Sequence, residues 1–372
     1  MKLNIVSLDN PFPPNYGGAI DIFYKLKSLY DQGCKIHLHC FYSNRIPNPS
    51  LERYCHKVHY YQRRSLIVSA LSARLPFVVS SRYSKKLIKN LSKNSYPILF
   101  DGLQSSLISK EINLKRRKKY LRLHNVESSY MKHLYKAETG WIRRLGIRID
   151  SYRYKGFEKK LKQYEAVFTI SKPDQKFYRD FHKNVYLLSA MHGHVKIKSC
   201  MGFGSYLLYH GNFDVSENFK AVRFLIENIF KKIHFPIKIA GNNALKKLKP
   251  LTKNTDIHII NNPNIEKMEE LIAGAHINIL PTFQSTGVKL KLINSLFLGR
   301  HCIVNDAMTA PIPVLNKLCV VSNSIDEFIN NITQIIKLPF SKKDIKNRND
   351  ILLKHFNDLE NSAVLIEQIF NK

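Results

Sequence analysis

One segment of the sequence has the pattern of a complete βαβ unit. Between Glu270 and Asn305 it predicts, in order, an apolar strand, a short polar loop, a helix and a second strand: His276–Leu280, Pro281–Thr286, Gly287–Leu298 and Cys302–Asn305. A connection of this kind brings the loop and the helix N-terminus to the carboxyl edge of a parallel sheet, where such folds bind ligands. The segment therefore predicts an α/β fold and a candidate binding site.

The start of that helix has the features of an anion site. Thr286 can cap the helix, and the free N–H groups of the first turn favour a negative charge. Lys289 lies in the same turn, where a cation opposes the helix dipole unless an anion is bound nearby. An ordinary capped helix with a surface lysine explains the same residues, and both interpretations stay open at this point.

Strands alternate with helices in both halves of the chain, which indicates two doubly wound parallel sheets. We expect an N-terminal acceptor-side domain, a linker, a C-terminal donor-nucleotide domain and a helical segment, at 1–190, 191–205, 206–340 and 341–372. Two such Rossmann-like domains would face each other across a cleft, a common place for a substrate. The C-terminal helix could cross back to the first domain.

The charge of the chain restricts its partners. Fifty-nine Lys and Arg residues oppose 28 Asp and Glu residues, which gives a net charge of +31. Because the basic residues are spread along the chain, they favour a folded, electropositive surface over a disordered arm. Such a surface attracts nucleotide phosphates, anionic lipid or nucleic acid. No nucleic-acid-binding module is recognisable, so nucleic acid is not an expected partner, and a nucleic-acid-binding protein is the less favoured alternative. A dinucleotide oxidoreductase is disfavoured too, since Gly202-Phe-Gly204 precedes a predicted strand instead of following one.

Cysteine usage and hydropathy bear on location. The six cysteines form no CxxC pair, which predicts free thiols in a reducing compartment. No uncharged apolar run approaches the roughly 18 residues that span a bilayer, and the first residues are not typical of a signal peptide. We therefore expect a cytoplasmic protein.

Residues 63–89 combine basic and apolar side chains, which predicts peripheral contact with an anionic membrane at the inner face of the plasma membrane. A core helix with basic flanks is the alternative.

Six motifs follow one another in an order that resembles a known family: PPNYGGA, LRLHNVES, YEAVFTISKPD, YHGNFDVSENFKA, IAGNN and LPTFQSTGVKLKLINSLFLGRHCIVN. They resemble the GT-B fold glycosyltransferases, within these the family-4-like, sugar-nucleotide-dependent group. The resemblance covers most of the chain and depends on the order and spacing of the motifs. It implies a hexosyltransferase that moves a sugar from a nucleoside-diphosphate sugar to a glycan or lipid-linked acceptor, with retention of configuration, in bacterial surface polysaccharide synthesis.

The resemblance also assigns roles in the N-terminal half. Gly17 and Gly18 match the glycine loop whose N–H groups approach the donor diphosphate, and a tight turn after Pro13-Pro14 is the alternative. His124 matches the histidine that faces the donor sugar, and it is our candidate catalytic residue together with Lys289; a structural histidine is the alternative. The residues expected on the acceptor side are Asp101, Asn125 and Glu127, although a simple turn explains Asp101 and Gly102 equally well.

In the C-terminal half the resemblance implies a donor site in which several family residues are replaced. The implied donor-binding residues are Gly211, Asn212, Gly241, Thr286, Gly287 and Asn294. Thr286 and Asn294 stand where the family usually has two glutamates. Asn212 and Asn218 stand where it often has an Arg and a Lys, and Lys289 could replace the missing cation. These departures keep open a non-catalytic GT-B-like binding or assembly subunit.

We expect neither a metal nor a cofactor beyond the nucleotide-sugar substrate. The resemblance implies a metal-independent reaction, and the sequence has no DxD-like pair in a suitable loop and no HExxH motif. The histidine pairs His37-Leu-His39 and His192-Gly-His194 lack a third ligand nearby, so they are weak indicators of zinc.

Overall fold

The computed structural model describes residues 1–65, 74–253 and 255–371. The described chain divides into two compact units. The N-terminal unit contains residues 1–135, 140–193 and those from Asp358 onward, and the C-terminal unit contains 136–139 and 194–357. Within the described ranges, no helix has both the length and the apolar character required to cross a bilayer.

The N-terminal unit is built on a seven-stranded sheet. Its strands are β1 (Lys2–Ser7), β2 (Lys35–Tyr42), β3 (Lys57–Gln62), β4 (Ile98–Asp101), β5 (Lys119–Leu123), β6 (Ala166–Thr169) and β7 (Val185–Leu187). They pair in parallel in the order β3-β2-β1-β4-β5-β6-β7. The order reverses direction between β1 and β4, and this topological switch point is where open α/β sheets bind ligands.

Helices connect these strands. In the described residues they are α1 (Gly17–Asp31), α2 (Phe77–Ser80), α3 (Lys85–Leu91), α4 (Glu127–Ala137), α5 (Trp141–Phe157) and α6 (Lys172–Arg179). Among the described residues of this unit, four short 3-10 segments lie at Pro49–Arg53, Leu103–Ser105, Leu107–Lys110 and Ile112–Leu114.

Alternation along the central strands produces a core on each face of this sheet. Ile98 and Phe100 of β4 lie in one hydrophobic cluster, whereas Leu99 between them lies in the other. Leu121 and Tyr120 of β5 divide in the same way. Because successive strand residues point to opposite faces, the fully buried strands are apolar at nearly every position. A charged residue in such a strand therefore needs a specific partner.

The C-terminal unit repeats the architecture with six parallel strands. They are β8 (Leu207–His210), β9 (Ile237–Gly241), β10 (Ile257–Asn261), β11 (Ile277–Ile279), β12 (His301–Val304) and β13 (Val320–Val321). Their order is β10-β9-β8-β11-β12-β13, with the reversal between β8 and β11. The helices are α7 (Ser216–Asn228), α8 (Ala244–Leu248), α9 (Ile265–Gly274), α10 (Leu290–Leu298), α11 (Asp306–Thr309), α12 (Ile325–Ile335) and α13 (Lys342–His355), with 3-10 segments at Phe230–Lys232 and Pro313–Leu318. Two Rossmann-like domains, as predicted, are confirmed.

The final helix, α14 (Asp358–Phe370), belongs to the N-terminal unit. It packs on α1, where the Ser28 and Ser362 hydroxyls lie 2.9 Å apart and Ser28 Oγ donates to the Asp358 carbonyl at 3.0 Å. The Asp358 carboxylate accepts a 2.7 Å hydrogen bond from the Gly193 N–H. The chain thus returns to its first unit through its last helix.

Two predicted helical segments differ from the structure, and a third predicted segment lies partly outside the described residues. The helix predicted from Gly287 begins instead at Leu290, with Lys289 at the N-cap. Gly287 has φ +69°, a left-handed conformation incompatible with a helical residue. The helical tail predicted at 341–372 is two helices, α13 and α14, separated at Phe356–Asn357. The predicted membrane segment 63–89 lies partly outside the described residues, because 66–73 are not among them.

Candidate functional site

A buried ion pair marks the switch point of the N-terminal sheet. Asp101 is the last residue of β4, and its side chain is completely buried. Lys25, equally buried on α1, places its Nζ 2.7 Å from Asp101 Oδ2. Two buried charges persist in an apolar core only when their mutual attraction and their hydrogen bonds offset the loss of water.

Two further ion pairs complete the network. Lys25 Nζ also lies 3.2 Å from Asp21 Oδ2, one turn earlier on α1. Asp21 Oδ1 receives hydrogen bonds from Arg122 Nη2 of β5 at 3.1 Å and from the Met191 N–H at 2.7 Å. Two carboxylates and two cations therefore balance each other inside this part of the unit.

The two carboxylates are held ionised. Burial alone would raise the pKa of Asp21, but Arg122, Lys25 and His124 more than offset it and place that pKa below its ordinary value. Burial also opposes ionisation of Asp101, and Lys25 together with the hydrogen bond to His124 lowers its pKa. Both groups remain negative at neutral pH.

His124 lies at the surface of this network. It follows β5, its Nε2 lies 2.8 Å from Asp101 Oδ1 and 3.7 Å from Asp21 Oδ2, and 13% of its side chain is exposed. An imidazole nitrogen that faces an ionised carboxylate carries the proton, which leaves Nδ1 as a hydrogen-bond acceptor when the ring is neutral. Asp101 and His124, predicted separately, are thus brought together.

The same three side chains have the spacing of metal ligands. One ligand atom from each of Asp21, Asp101 and His124 lies within 4.8 Å of the others. The carboxylates are already neutralised by Lys25 and Arg122, and a divalent cation here would lie close to two fixed positive charges. The donor set therefore fits a charge-balanced network better than a metal site.

Among the described residues, no hydrogen bond or ion pair joins His124 to the other predicted acceptor-side residues, Asn125 and Glu127. The Asn125 carbonyl accepts a hydrogen bond from the Tyr178 hydroxyl at 3.2 Å. Glu127 is buried at the start of α4, and burial raises its pKa to about 7, with Glu158 adding to the shift. Their assignment to the acceptor side stays a prediction.

Gly17 and Gly18 form the first turn of α1. The first N–H groups of a helix have no partner within it, and they point toward the space before the helix. A Cβ at Gly18 would lie 3.1 Å from the Tyr16 ring, whereas nothing surrounds a Cβ at Gly17. The same helix also carries Asp21 and Lys25, so it links the glycine pair to the network that holds His124.

In the C-terminal unit, two glycines allow the ends of β8 and β9 to approach closely. A Cβ on Gly241, which has φ +154°, would lie 1.7 Å from the Gly211 carbonyl oxygen. No residue with a side chain fits there without moving the backbone. Asn212 follows Gly211, and its side chain accepts from the Asp214 N–H at 3.0 Å, which fixes the turn.

A lysine not predicted from the sequence lies beside this turn. Lys291, the second residue of α10, is partly buried, and its Nζ lies 3.0 Å from Asn218 Oδ1 and 3.5 Å from the Tyr209 hydroxyl. Removal from water lowers the pKa of Lys291 to about 8; Lys289 acts in the same direction and Glu217 opposes it. The family resemblance led us to expect a lysine at position 218, where this chain has an asparagine. The ammonium group of Lys291 contacts that asparagine.

The remaining predicted donor residues lie around the start of α10. Lys289 Nζ donates to the Thr286 carbonyl at 2.6 Å, and Thr286 Oγ1 accepts from Gln284 Nε2 at 3.0 Å instead of capping the helix. Asn294 Oδ1 lies 3.1 Å from His194 Nε2. Their roles in donor binding stay predictions.

The sequence contained a signal for the residues that were missed. Asp21 and Lys25 occur at helical spacing among Ile22, Leu26 and Leu29, so charged residues occupy the apolar face of α1. Similarly, Arg122 is a charged residue within a fully buried strand. A charge at a core position indicates a buried partner, although the pattern does not identify that partner.

Comparisons with known proteins identify a matching family model and a similar sequence. The family model described as "Glycosyl transferases group 1" matches residues 204–337. A protein described as an uncharacterized 44.6 kDa protein in the cps region of Klebsiella pneumoniae is 27% identical over 319 residues, which cover 79% of this chain and 80% of the relative.

Solved structures match over the whole length. Sucrose-phosphate synthase from Thermosynechococcus elongatus has a TM-score of 0.72 at 14% identity, covering 100% of this chain and 98% of that one. HepE from Anabaena, in complex with UDP and glucose, has a TM-score of 0.68 at 10% identity, with complete coverage of both chains. The fold is therefore that of the GT-B glycosyltransferases, and the predicted resemblance is confirmed. Within that class, residues 204–337 match the group 1 glycosyl transferases.

Proposed function

We propose that this chain is a glycosyltransferase that moves a sugar from a nucleoside-diphosphate sugar to a glycan or lipid-linked acceptor. The observation that carries the proposal is the contact of Lys291 with Asn218 beside the closely packed turn at Gly211 and Gly241. A cation next to a backbone turn that excludes side chains suits a diphosphate group. This segment lies inside the region that matches the family model.

The proposed chemistry requires stabilisation of a leaving nucleoside diphosphate. Negative charge develops on the diphosphate as the glycosidic bond breaks, and fixed donors placed there lower the barrier. Lys291, Lys289 and the N–H groups at the start of α10 would provide that charge stabilisation in the C-terminal unit. For the N-terminal unit, the role of the Gly17 and Gly18 N–H groups in donor binding is a separate proposal, which the resemblance implies. The proposal therefore includes neither a metal nor a cofactor.

His124 would accept a hydrogen bond from a sugar hydroxyl through Nδ1. The proposal is supported by the 2.8 Å contact between Nε2 and Asp101, which orients the ring and leaves part of it exposed. A hexose as the transferred group and retention of configuration form part of the proposal, because the resemblance implies them. Proton NMR of the anomeric signal in the product would test retention.

Surface polysaccharide synthesis is the proposed context. It is supported by the relative from Klebsiella pneumoniae, whose description places it in a cps region. HepE, in complex with UDP and glucose, supports UDP as the first nucleotide to test. Cytoplasmic location and membrane contact through 63–89 remain proposals.

A non-catalytic binding subunit is the second candidate. Thr286 and Asn294 lack the carboxylates that the family usually has, and Asn294 is paired with His194. A chain of this kind would bind a sugar nucleotide without transferring the sugar.

A donor screen separates the two candidates. Thermal shift with a panel of nucleoside diphosphates would identify the base, and release of the diphosphate from the corresponding sugar nucleotides would then be measured with and without glycan acceptors. Transfer or donor hydrolysis supports the enzyme. Binding without turnover favours the binding subunit, and absence of binding to every nucleotide contradicts both.

A further inference from the structure

Helix α5 carries an apolar face that is open to solvent. Five large apolar side chains on it are exposed: Trp141, Ile142, Leu145, Ile149 and Tyr152. At 100° per residue these positions fall within an arc of about 100°. Trp141 is 75% exposed and Tyr152 is 78% exposed. A contiguous apolar stripe of this kind on a soluble protein marks an interaction surface.

The opposite face of α5 holds the helix in place. Asp150, Ser151 and Tyr154 are buried, and the Asp150 carboxylate accepts a 2.9 Å hydrogen bond from the Phe77 N–H. The exposed stripe is therefore presented by an anchored helix whose polar contacts are made elsewhere.

Basic residues lie along one edge of the stripe. On the helical wheel Arg144, Arg148 and Lys155 lie next to the apolar arc, and all three are exposed. The one acidic residue of α5, Asp150, is buried on the other side. The exposed part of this helix therefore combines apolar and positive groups without a negative one.

We propose that α5 binds an anionic lipid surface. A helix with Trp and Leu on one side and Arg and Lys beside them lies in the headgroup region, where its apolar face enters the acyl boundary and its cations meet lipid phosphates. The net charge of +31 acts in the same direction. A second copy of the chain is a poorer occupant, because it would bring two rows of like charges together.

This inference goes beyond the proposed sugar transfer and does not depend on it. Lipid binding is measured without nucleotide or acceptor, so absence of lipid binding leaves the transferase proposal intact. Likewise, absence of sugar transfer leaves the lipid-binding inference intact. It concerns α5 and not residues 63–89, although Phe77 of that segment donates a hydrogen bond to Asp150 of α5.

Trp141 is the only tryptophan of the chain, so its fluorescence reports directly on the proposed contact. Vesicles of equimolar phosphatidylcholine and phosphatidylglycerol should shift the emission to the blue, and vesicles of phosphatidylcholine alone should leave it unchanged. Brominated acyl chains should quench the shifted emission. The inference is overturned by unchanged emission with the anionic vesicles, by an equal shift with both vesicles, or by a shift that follows protein concentration without lipid.

Two double variants that keep Trp141 test separately the apolar side chains and the cations of the proposed contact. Ile142→Ser with Leu145→Ser should abolish the shift, whereas Ile46→Ser with Leu245→Ser, also exposed apolar positions, should preserve it.

Arg148→Gln with Lys155→Gln should weaken partitioning about 30-fold, equivalent to about 1 kcal/mol for each cation. Lys342→Gln with Lys343→Gln removes the same charge from α13 and should weaken it far less. Circular dichroism would establish that each variant is folded. Equal losses in test and control pairs would contradict the assignment to α5.

Discussion

The Nε2 atom of His124 lies 2.8 Å from Oδ1 of Asp101, whose second oxygen contacts the buried ammonium of Lys25. One carboxylate thus connects a partly exposed imidazole to an interior cation. Since the carboxylate orients the ring and sets which nitrogen is protonated, the chemistry available at His124 depends on residues that no substrate would reach.

We expect His124→Ala to reduce sugar transfer more than nucleotide binding. Loss of one hydrogen bond to the sugar would lower kcat/KM about 10-fold, while the Kd for the nucleoside diphosphate should change little. Steady-state kinetics and calorimetry would measure the two quantities. His234→Ala, at an exposed position of the other unit, is the control. Equal losses in kcat/KM and nucleotide affinity would instead indicate a structural histidine.

Lys25→Met should strongly destabilise the chain. It leaves Asp21 and Asp101 buried beside each other without their shared cation, and breaking a buried ion pair costs about 3–5 kcal/mol. Urea denaturation would measure the change in the free energy of unfolding. Arg223→Gln breaks the exposed pair with Glu227 and should cost less than about 1 kcal/mol. A similar small loss for Lys25→Met would contradict a buried ionic network.

Lys291→Ala should weaken nucleoside-diphosphate binding by about 10-fold or more, the value of a hydrogen bond to a charged group. Lys289→Ala should also weaken it, though less, because Lys289 Nζ is bonded to the Thr286 carbonyl. Isothermal titration calorimetry would measure both variants. Unchanged affinity in Lys291→Ala would remove the main support for the donor site.

The pH dependence of nucleotide binding gives a second test of Lys291. Its pKa of about 8 means that the unliganded side chain loses its positive charge as the pH rises through that value. Affinity for the diphosphate should therefore fall above about pH 8, and this decrease should be absent in Lys291→Ala. Retention of the full decrease by the variant would assign it to another group.

Glu127→Gln should change how stability depends on pH. Burial raises the pKa of Glu127 to about 7 from 4.5, so the folded state disfavours ionisation. Because the folded state prefers neutral Glu127, this residue adds about 3 kcal/mol to the free energy of unfolding below pH 4.5. That contribution is lost as the pH rises to about 7. Relative to the wild type, the variant should gain stability over this interval. Exposed Glu165→Gln is the control, and parallel curves for Glu127→Gln and the wild type would show that the shift is small.

Gly241→Ala should destabilise the C-terminal unit and reduce nucleotide affinity together. The added Cβ would collide with the Gly211 carbonyl, and the positive φ adds backbone strain. Gly156→Ala, within α5, meets no neighbouring atom and should be stabilising by roughly 0.5–1 kcal/mol. Thermal unfolding and UDP titration would compare the two. Wild-type behaviour of Gly241→Ala would exclude a rigid turn.

The architecture could be predicted because it depends on local patterns. Apolar strands alternating with amphipathic helices are visible along the chain, and they place Asp101 and His124 at ends of neighbouring strands. The start of α10 was predicted three residues too early, since Thr286 and Gly287 have the composition of a helix start while Gly287 adopts a left-handed conformation.

The pairings inside the network could not be predicted from the sequence. Asp21 and Arg122 are 101 residues apart, and Lys25 and Asp101 are separated by 76. A charge at an apolar position indicates that some partner exists, but the partner is chosen by the tertiary fold. The same holds for Lys291, whose contact with Asn218 depends on how α10 is placed relative to α7.

The pairing of Ser28 with Ser362 has a consequence for biosynthesis. The first unit acquires its closing helix only after the whole second unit has been translated, so its assembly cannot finish while the ribosome is still adding residues before 358. Cutting the gene once between the units would leave the leading fragment with an uncovered face on α1. Separate production of the two halves would therefore need the terminal helix to be supplied to the first half or fused to it.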